Sequence, residues 1–166
     1  MKDLRGKLDS TQLNIAVVVS SFNAMVTERL LEGAVDVLKK TGSIEAEITI
    51  VRVPGSFEIP LATQRLARTG KFKAIICLGA LIRGETPHFD YICQQTSRGI
   101  SEVALQNNLP VTYGLITADT VEQAMNRAGP TTGKLATNGK QKYGNKGAEA
   151  ALAAVEMANL IKELPE

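Results

Sequence analysis

Four short aliphatic runs recur along this sequence, each followed by a stretch in which apolar residues return at helical spacing. The runs are Ile15–Val19, Ile48–Val53, Ala74–Leu78 and Val111–Ile116. Strands that alternate with helices pair in parallel, because each crossover must return the chain to the end of the sheet it left. The first and third runs are almost uninterrupted apolar sequence, the pattern of central strands covered on both faces. The second alternates, as an edge strand does. The fold class this predicts is α/β, a flavodoxin-like three-layer sandwich around a four-stranded parallel sheet in the order 2-1-3-4.

The intervening stretches carry helix signals. Val26, Leu30, Ala34, Val37 and Leu38 share one face and stop before Gly42. A second helix is predicted from Glu58 or Pro60 to Arg68, before Gly70. A third opens with Thr86 as N-cap and Pro87 at the first helical position, and runs to about Asn107. Asp119–Glu122 reads as a capping box starting a short helix. Ala148–Leu164 reads as a final helix, with Leu152, Val155, Ala158 and Ile161 on one stripe. Gly129–Gly147 breaks the pattern: it holds five of the 14 glycines, four lysines (134, 140, 142 and 146) and no acid. It is expected to be a long loop, either a solvated insertion or a flap that contacts an anion or partner.

Composition removes several function classes. Nineteen Lys and Arg against 17 Asp and Glu leave a formal charge of +2, too balanced for a phosphate-backbone binding face, so no nucleic-acid partner is expected. Cys77, Cys93 and the lone His88 form no metal-ligand cluster, so no metal is expected. The only apolar run in the first 22 residues is Ile15–Val19, too short for a secretory signal or a membrane span. The reading is a cytoplasmic chain of one domain, residues 1–166, with no membrane partner. Nucleotide signatures fail as well. Gly129–Leu135 is one residue short of a P-loop and ends in leucine where Ser or Thr must bind magnesium, and no GxGxxG follows the first strand.

In an open parallel sheet, ligands bind beyond the carboxyl ends of the strands where the winding reverses, here between strands one and three. Three loops meet there: Ser20–Asn23, Pro54–Glu58 and Gly79–Phe89. The chain has only seven aromatic residues and no tryptophan, yet Phe22, Phe57 and Phe89 fall in these loops. Three rings around one switch point suit a flat heterocyclic ligand, although each singly is a common cap on a core. Asn23 and Glu58 are placed to bond its polar groups, or else to start the adjoining helices. Gly84–Pro87 leads into a helix whose free N–H groups suit a phosphate, Glu85 opposing by charge unless only its backbone makes the contact. His88, in the first turn, faces the positive end of the dipole, which favours a neutral imidazole able to act as a base or proton shuttle. Tyr113, early in strand four, and Arg127, at the far end of a helix, belong to a site only if a neighbouring subunit supplies them; otherwise they are a packed ring and a helix-end cation.

The motifs Ser21–Asn23, Val53–Pro60, Leu81–Tyr91, Gly114–Thr117, Glu122–Ala124, Arg127–Gly129, Gly144–Gly147 and Glu156–Leu160, in one order, resemble the lumazine synthase family over nearly the whole chain. That resemblance implies condensation of 5-amino-6-(D-ribitylamino)uracil with 3,4-dihydroxy-2-butanone 4-phosphate, giving 6,7-dimethyl-8-ribityllumazine, phosphate and water without metal or organic cofactor. It implies that Phe22 stacks on the pyrimidine and that Asn23, Ser56, Phe57, Glu58 and the Ala80, Leu81 and Ile82 backbone hold the uracil and ribityl groups. Glu85 and Thr86 would donate to phosphate, with Arg127 of the next subunit as its counter-charge. Tyr113 of that subunit would cover the ring, a place where the family usually has phenylalanine. His88 would shuttle protons and Lys146 would stand near the uracil.

One departure bears on assembly. The family joins Arg127–Gly129 to Gly144–Gly147 through only a few residues, whereas Pro130–Tyr143 intervenes here. The resemblance implies a homopentamer with sites between subunits and an N-terminal segment that adds to a neighbour's sheet. The insertion favours an isolated pentamer over a sixty-subunit shell. Two other readings stay open: a non-catalytic scaffold or flavin-binding protein with the same pocket, and recruitment of an anionic partner by the lysine-rich loop.

Overall fold

A computed structural model describes residues 1–129 and 144–165. Four parallel strands, β1 (Ile15–Ser20), β2 (Ile48–Val53), β3 (Ala74–Ile82) and β4 (Val111–Ala118), form one sheet in the order β2-β1-β3-β4. This is the predicted fold class. Side chains alternate across a strand, so the apolar runs of β1 and β3 divide between two cores. Ile15, Val17, Val19, Ala74, Ile76 and Leu78 pack with α1 (Ala24–Lys40) and α5 (Lys146–Leu160). Ala16, Val18, Ile75 and Cys77 pack with Ile59 of α2 (Ile59–Ala67) and Ile100 of α3 (His88–Asn107). Both central strands are buried on both faces, while edge strand β2 exposes Thr49, Ile50 and Arg52.

Element ends depart from the sequence reading in instructive ways. β3 continues past Leu78 to Ile82 because β4 pairs with it along its whole length, from Ile75–Val111 to Ile82–Ala118. Thr86 is not the cap of α3. Pro87, its φ held at −63° in the helical range, takes that position itself and leaves the Thr86 hydroxyl one residue outside. At α4 (Val121–Arg127) the cap is Thr120, whose extended backbone lets Oγ1 accept from Gln123 N at 3.2 Å. The expected box is thereby displaced by one residue, and Gln123 Oε1 accepts from Asp119 N at 2.8 Å.

The Gly129–Gly147 loop is shorter than expected at both ends. Ala128 and Asn145 form an antiparallel bridge, and Gly129 N donates to Gly144 O at 3.0 Å. Buried Asn145 caps α5 by accepting from Gly147 N and Ala148 N, while its Nδ2 donates to Arg29 O at 2.9 Å and Gly129 O at 3.0 Å. Lys146 and Gly147 are therefore helical, and α5 ends at Leu160, short of the predicted Leu164. The predicted insertion, 130–143, lies outside the described residues. No strand precedes Ile15: Asn159 Nδ2 donates to Lys7 O and Asp9 O at 2.9 and 2.8 Å, fastening that stretch to α5 of its own chain.

Helices α1 and α5 touch through a glycine. A Cβ on Gly147 would stand 2.0 Å from Leu30 O, a backbone atom that cannot turn aside. Gly147→Ala is expected to cost about 1–3 kcal/mol through overpacking. Thermal unfolding monitored by circular dichroism should show a midpoint several degrees lower.

Candidate functional site

Reversal of the winding between β1 and β3 leaves an opening beyond their carboxyl ends, and the loops that follow β1, β2 and β3 surround it. The resulting cleft holds about 360 Å³. Phe22 and Asn23 come from the first loop, Gly55–Glu58 from the second, Ala80–Ile82 from the end of β3, and Gly84, Thr86, His88, Phe89 and Ile92 from the third loop and α3. Apolar walls with a few convergent polar groups are the usual constitution of a small-molecule site.

Local chemistry fixes each loop. Asn23 has a left-handed backbone, φ 59°, and its Nδ2 donates to Ala80 O at 2.8 Å, so one side chain ties the exits of β1 and β3 together. One of the two N–H donors of that amide is committed inside the protein, and Asn23 still lines the cleft. Ser21 N and Phe22 N donate to Val53 O and Pro54 O at 2.8 and 3.0 Å, joining the first loop to the second. Phe22 is left 71% exposed, with its ring free to stack. Ser56 is buried at the cleft floor, where Thr96 Oγ1 donates to its carbonyl at 3.3 Å. Gly79 beneath it has no room for a side chain, since a Cβ would stand 2.7 Å from Ser56 Oγ. Glu58 Oε2 accepts from Gly55 N at 2.9 Å, which closes the turn, and Glu58 lines the cleft.

Ten of the predicted residues meet here: Phe22, Asn23, Ser56, Phe57, Glu58, Ala80, Leu81, Ile82, Thr86 and His88. Four do not. Glu85 is exposed outside the lining. Tyr113 pairs in register with Cys77 in the middle of β3, and its hydroxyl lies 2.9 Å from Ser97 Oγ, about 14 Å further along α3 than His88 at 1.5 Å per helical residue. Burial raises the Tyr113 hydroxyl's pKa, and the Ser97 hydrogen bond partly offsets this. Arg127 is the exposed last residue of α4, and Lys146 pairs with Glu149 on the α1/α5 side of the sheet. These positions agree with Tyr113 and Arg127 being out of reach of their own chain's cleft. The sequence reading missed Ile92, whose signal was its place one helical turn after His88.

Among the described residues the lining contains no Lys or Arg. Neither thiol is an activated nucleophile: burial pushes Cys77 up to about 12, and burial together with the Asp90 carboxylate raises Cys93. Among the described residues no helix is long and apolar enough to cross a membrane, and no group of three or more His, Cys, Asp or Glu could hold a metal ion.

A family model described as 6,7-dimethyl-8-ribityllumazine synthase matches residues 12–162. The chain belongs to the lumazine synthase family. The match takes in the three loops around the cleft, the bridge at Ala128–Asn145 and all of α5. Small-molecule substrates and oligomeric assembly are general to lumazine synthases.

The Asn23 strut gives a test with two separable parts. Asn23→Ala loses both the Ala80 bond and a residue tolerant of left-handed backbone, and should destabilise the protein by about 1–3 kcal/mol. Asn23→Gly loses only the bond, and its unfolding midpoint in urea should fall between those of Asn23→Ala and the parent.

Proposed function

We propose that this chain is a lumazine synthase that condenses 5-amino-6-(D-ribitylamino)uracil with 3,4-dihydroxy-2-butanone 4-phosphate, releasing phosphate and water. The observation that carries this reading is convergence: Phe22, Phe57, Phe89 and His88, drawn from three loops far apart in sequence, line one cleft with Glu58 and Ser56. Phe22 is available to stack on the pyrimidine. Ser56, Glu58 and the Ala80–Ile82 backbone offer donors and acceptors to the uracil and ribityl groups. Thr86, at the rim beside the start of α3, would donate to phosphate, joined by the Glu85 backbone.

The reaction asks for positioning and proton transfer more than for an activated protein nucleophile. The substrate arylamine attacks the ketone, an imine forms as one water leaves, phosphate is eliminated, and the second amine closes onto the remaining carbonyl with loss of a second water to complete the ring. Holding the two substrates together supplies much of the rate, and His88 would carry protons between them. No step of that sequence needs a metal or organic cofactor.

Among the described residues the lining offers a phosphate monoester dianion no Lys or Arg as counter-charge. In our reading Arg127 of an adjoining protomer supplies it, Tyr113 of that protomer covers the heterocycle, and Lys146 stands near the uracil. The assembly we propose is a homopentamer, with 130–143 keeping pentamers from packing into a sixty-subunit shell.

Purified protein given both substrates should develop lumazine fluorescence and release phosphate; binding of product without turnover would instead mark a non-catalytic lumazine- or flavin-binding scaffold. His88→Ala should lower kcat by about a hundredfold at most, because orientation survives the loss of the imidazole. Complete loss of turnover with substrate binding intact would make acid–base catalysis dominant. Light scattering should give a particle of five chains, and a mass near sixty chains would reject the isolated pentamer.

A further inference from the structure

The turn that brings Thr86, His88 and Phe89 to the cleft is the least supported part of its wall. Residues 83–88 are all exposed, and the N-cap of α3 makes no side-chain hydrogen bond. One side chain spans the gap. Arg83 Nη1 and Nη2 donate to Asp90 Oδ2 and Oδ1, both at 3.1 Å, in a two-pronged pair across the first turn of α3. Its Nε donates to Asp119 Oδ1 at 2.9 Å, at the junction of β4 and α4. The guanidinium carbon lies 4.4 Å from the centroid of the Phe89 ring, and Arg83 N donates to Ala118 O at 2.9 Å.

Phe89 is the partition in this arrangement. It lines the cleft with His88, and it also lines a second hollow with Arg83, Cys93, Asp119 and Gln123. Arg83 does not line the cleft itself, and three of its five N–H donors are committed to carboxylates. The two carboxylates around it push its pKa further up and outweigh its charge. It is therefore poorly suited to be the phosphate counter-charge, although it is the cation nearest the turn in sequence.

We propose that Arg83 is a positioning residue of this site: through Asp90, Asp119 and Phe89 it holds the Gly84–Phe89 turn so that Thr86 and His88 face the substrates. This rests on the lumazine synthase reading for its kinetic part only. Isolated half-exposed ion pairs contribute little, but a planar fork bonded to two carboxylates and laid on a ring fixes geometry that Lys cannot reproduce.

The test compares the parent with Arg83→Ala, Arg83→Lys and Asp119→Asn in two measurements. In hydrogen–deuterium exchange, amides of residues 84–91 should exchange about tenfold faster in Arg83→Ala, with peptides from β1 and β3 unchanged. In steady-state kinetics, Arg83→Ala should lose on the order of 10- to 100-fold in kcat/KM, mostly as a higher KM for the phosphate-bearing substrate, because misplacement of about an ångström costs that much. Arg83→Lys should recover only a minor part of either loss, and Asp119→Asn should be intermediate. Parental exchange at 84–91 in Arg83→Ala overturns the proposal, as does full rescue by lysine. If the parent makes no lumazine, the proposed activity fails while the exchange data still decide whether Arg83 holds the turn.

Discussion

Two strands with no solvent-facing side set the terms for everything else in this protein. Because β1 and β3 are buried on both faces and lie side by side, they have one route to function, which is whatever the chain does on leaving them. Their apolar side chains hold the cores against α1 and α5 on one face and α2 and α3 on the other. That burial is the main stabilising term, and it fixes two carboxyl ends at the spacing of neighbouring strands, about 4.8 Å. The three loops then need only short-range chemistry to close a cleft.

The short-range chemistry differs from loop to loop. Between β1 and β3 it is an amide strut, Asn23 to Ala80. After β2 it is the Gly55–Glu58 turn seated over Gly79. After β3 it is an arginine fork with no buried anchor. The anchoring contacts thus pass from buried at the cleft floor to exposed at its rim. The floor residues are those read as holding the heterocycle, and the rim residues are those read as handling phosphate and protons.

The sheet was readable from sequence because hydrophobic runs and their spacing report burial directly, and burial marks β1 and β3 as the central pair. The three loops were readable because strand ends must be where ligands bind in such a sheet. Exact caps were not. Pro87 displaced Thr86, and Thr120 displaced Asp119, because a cap depends on the backbone angles of its neighbours as well as on residue type. The strut made by Asn23 was hidden too, since nothing local says that an amide will reach a carbonyl 57 residues away. Arg83 was invisible for the same reason: its partners Asp90 and Asp119 stand seven and 36 residues along the chain. The positions of Tyr113 and Arg127, by contrast, were deducible, because strand register and helix direction alone carry them away from the opening.

The bridge between Ala128 and Asn145 has an evolutionary meaning. With Asn145 gripping Gly129 O, Arg29 O and the first turn of α5 together, the last helix is seated by contacts independent of what the chain does between its two pinched ends. Closing a loop costs free energy only logarithmically in its length, so residues can accumulate at this point almost without penalty to the fold. The neck makes this corner a port where lineages can append sequence while the catalytic scaffold stays constant.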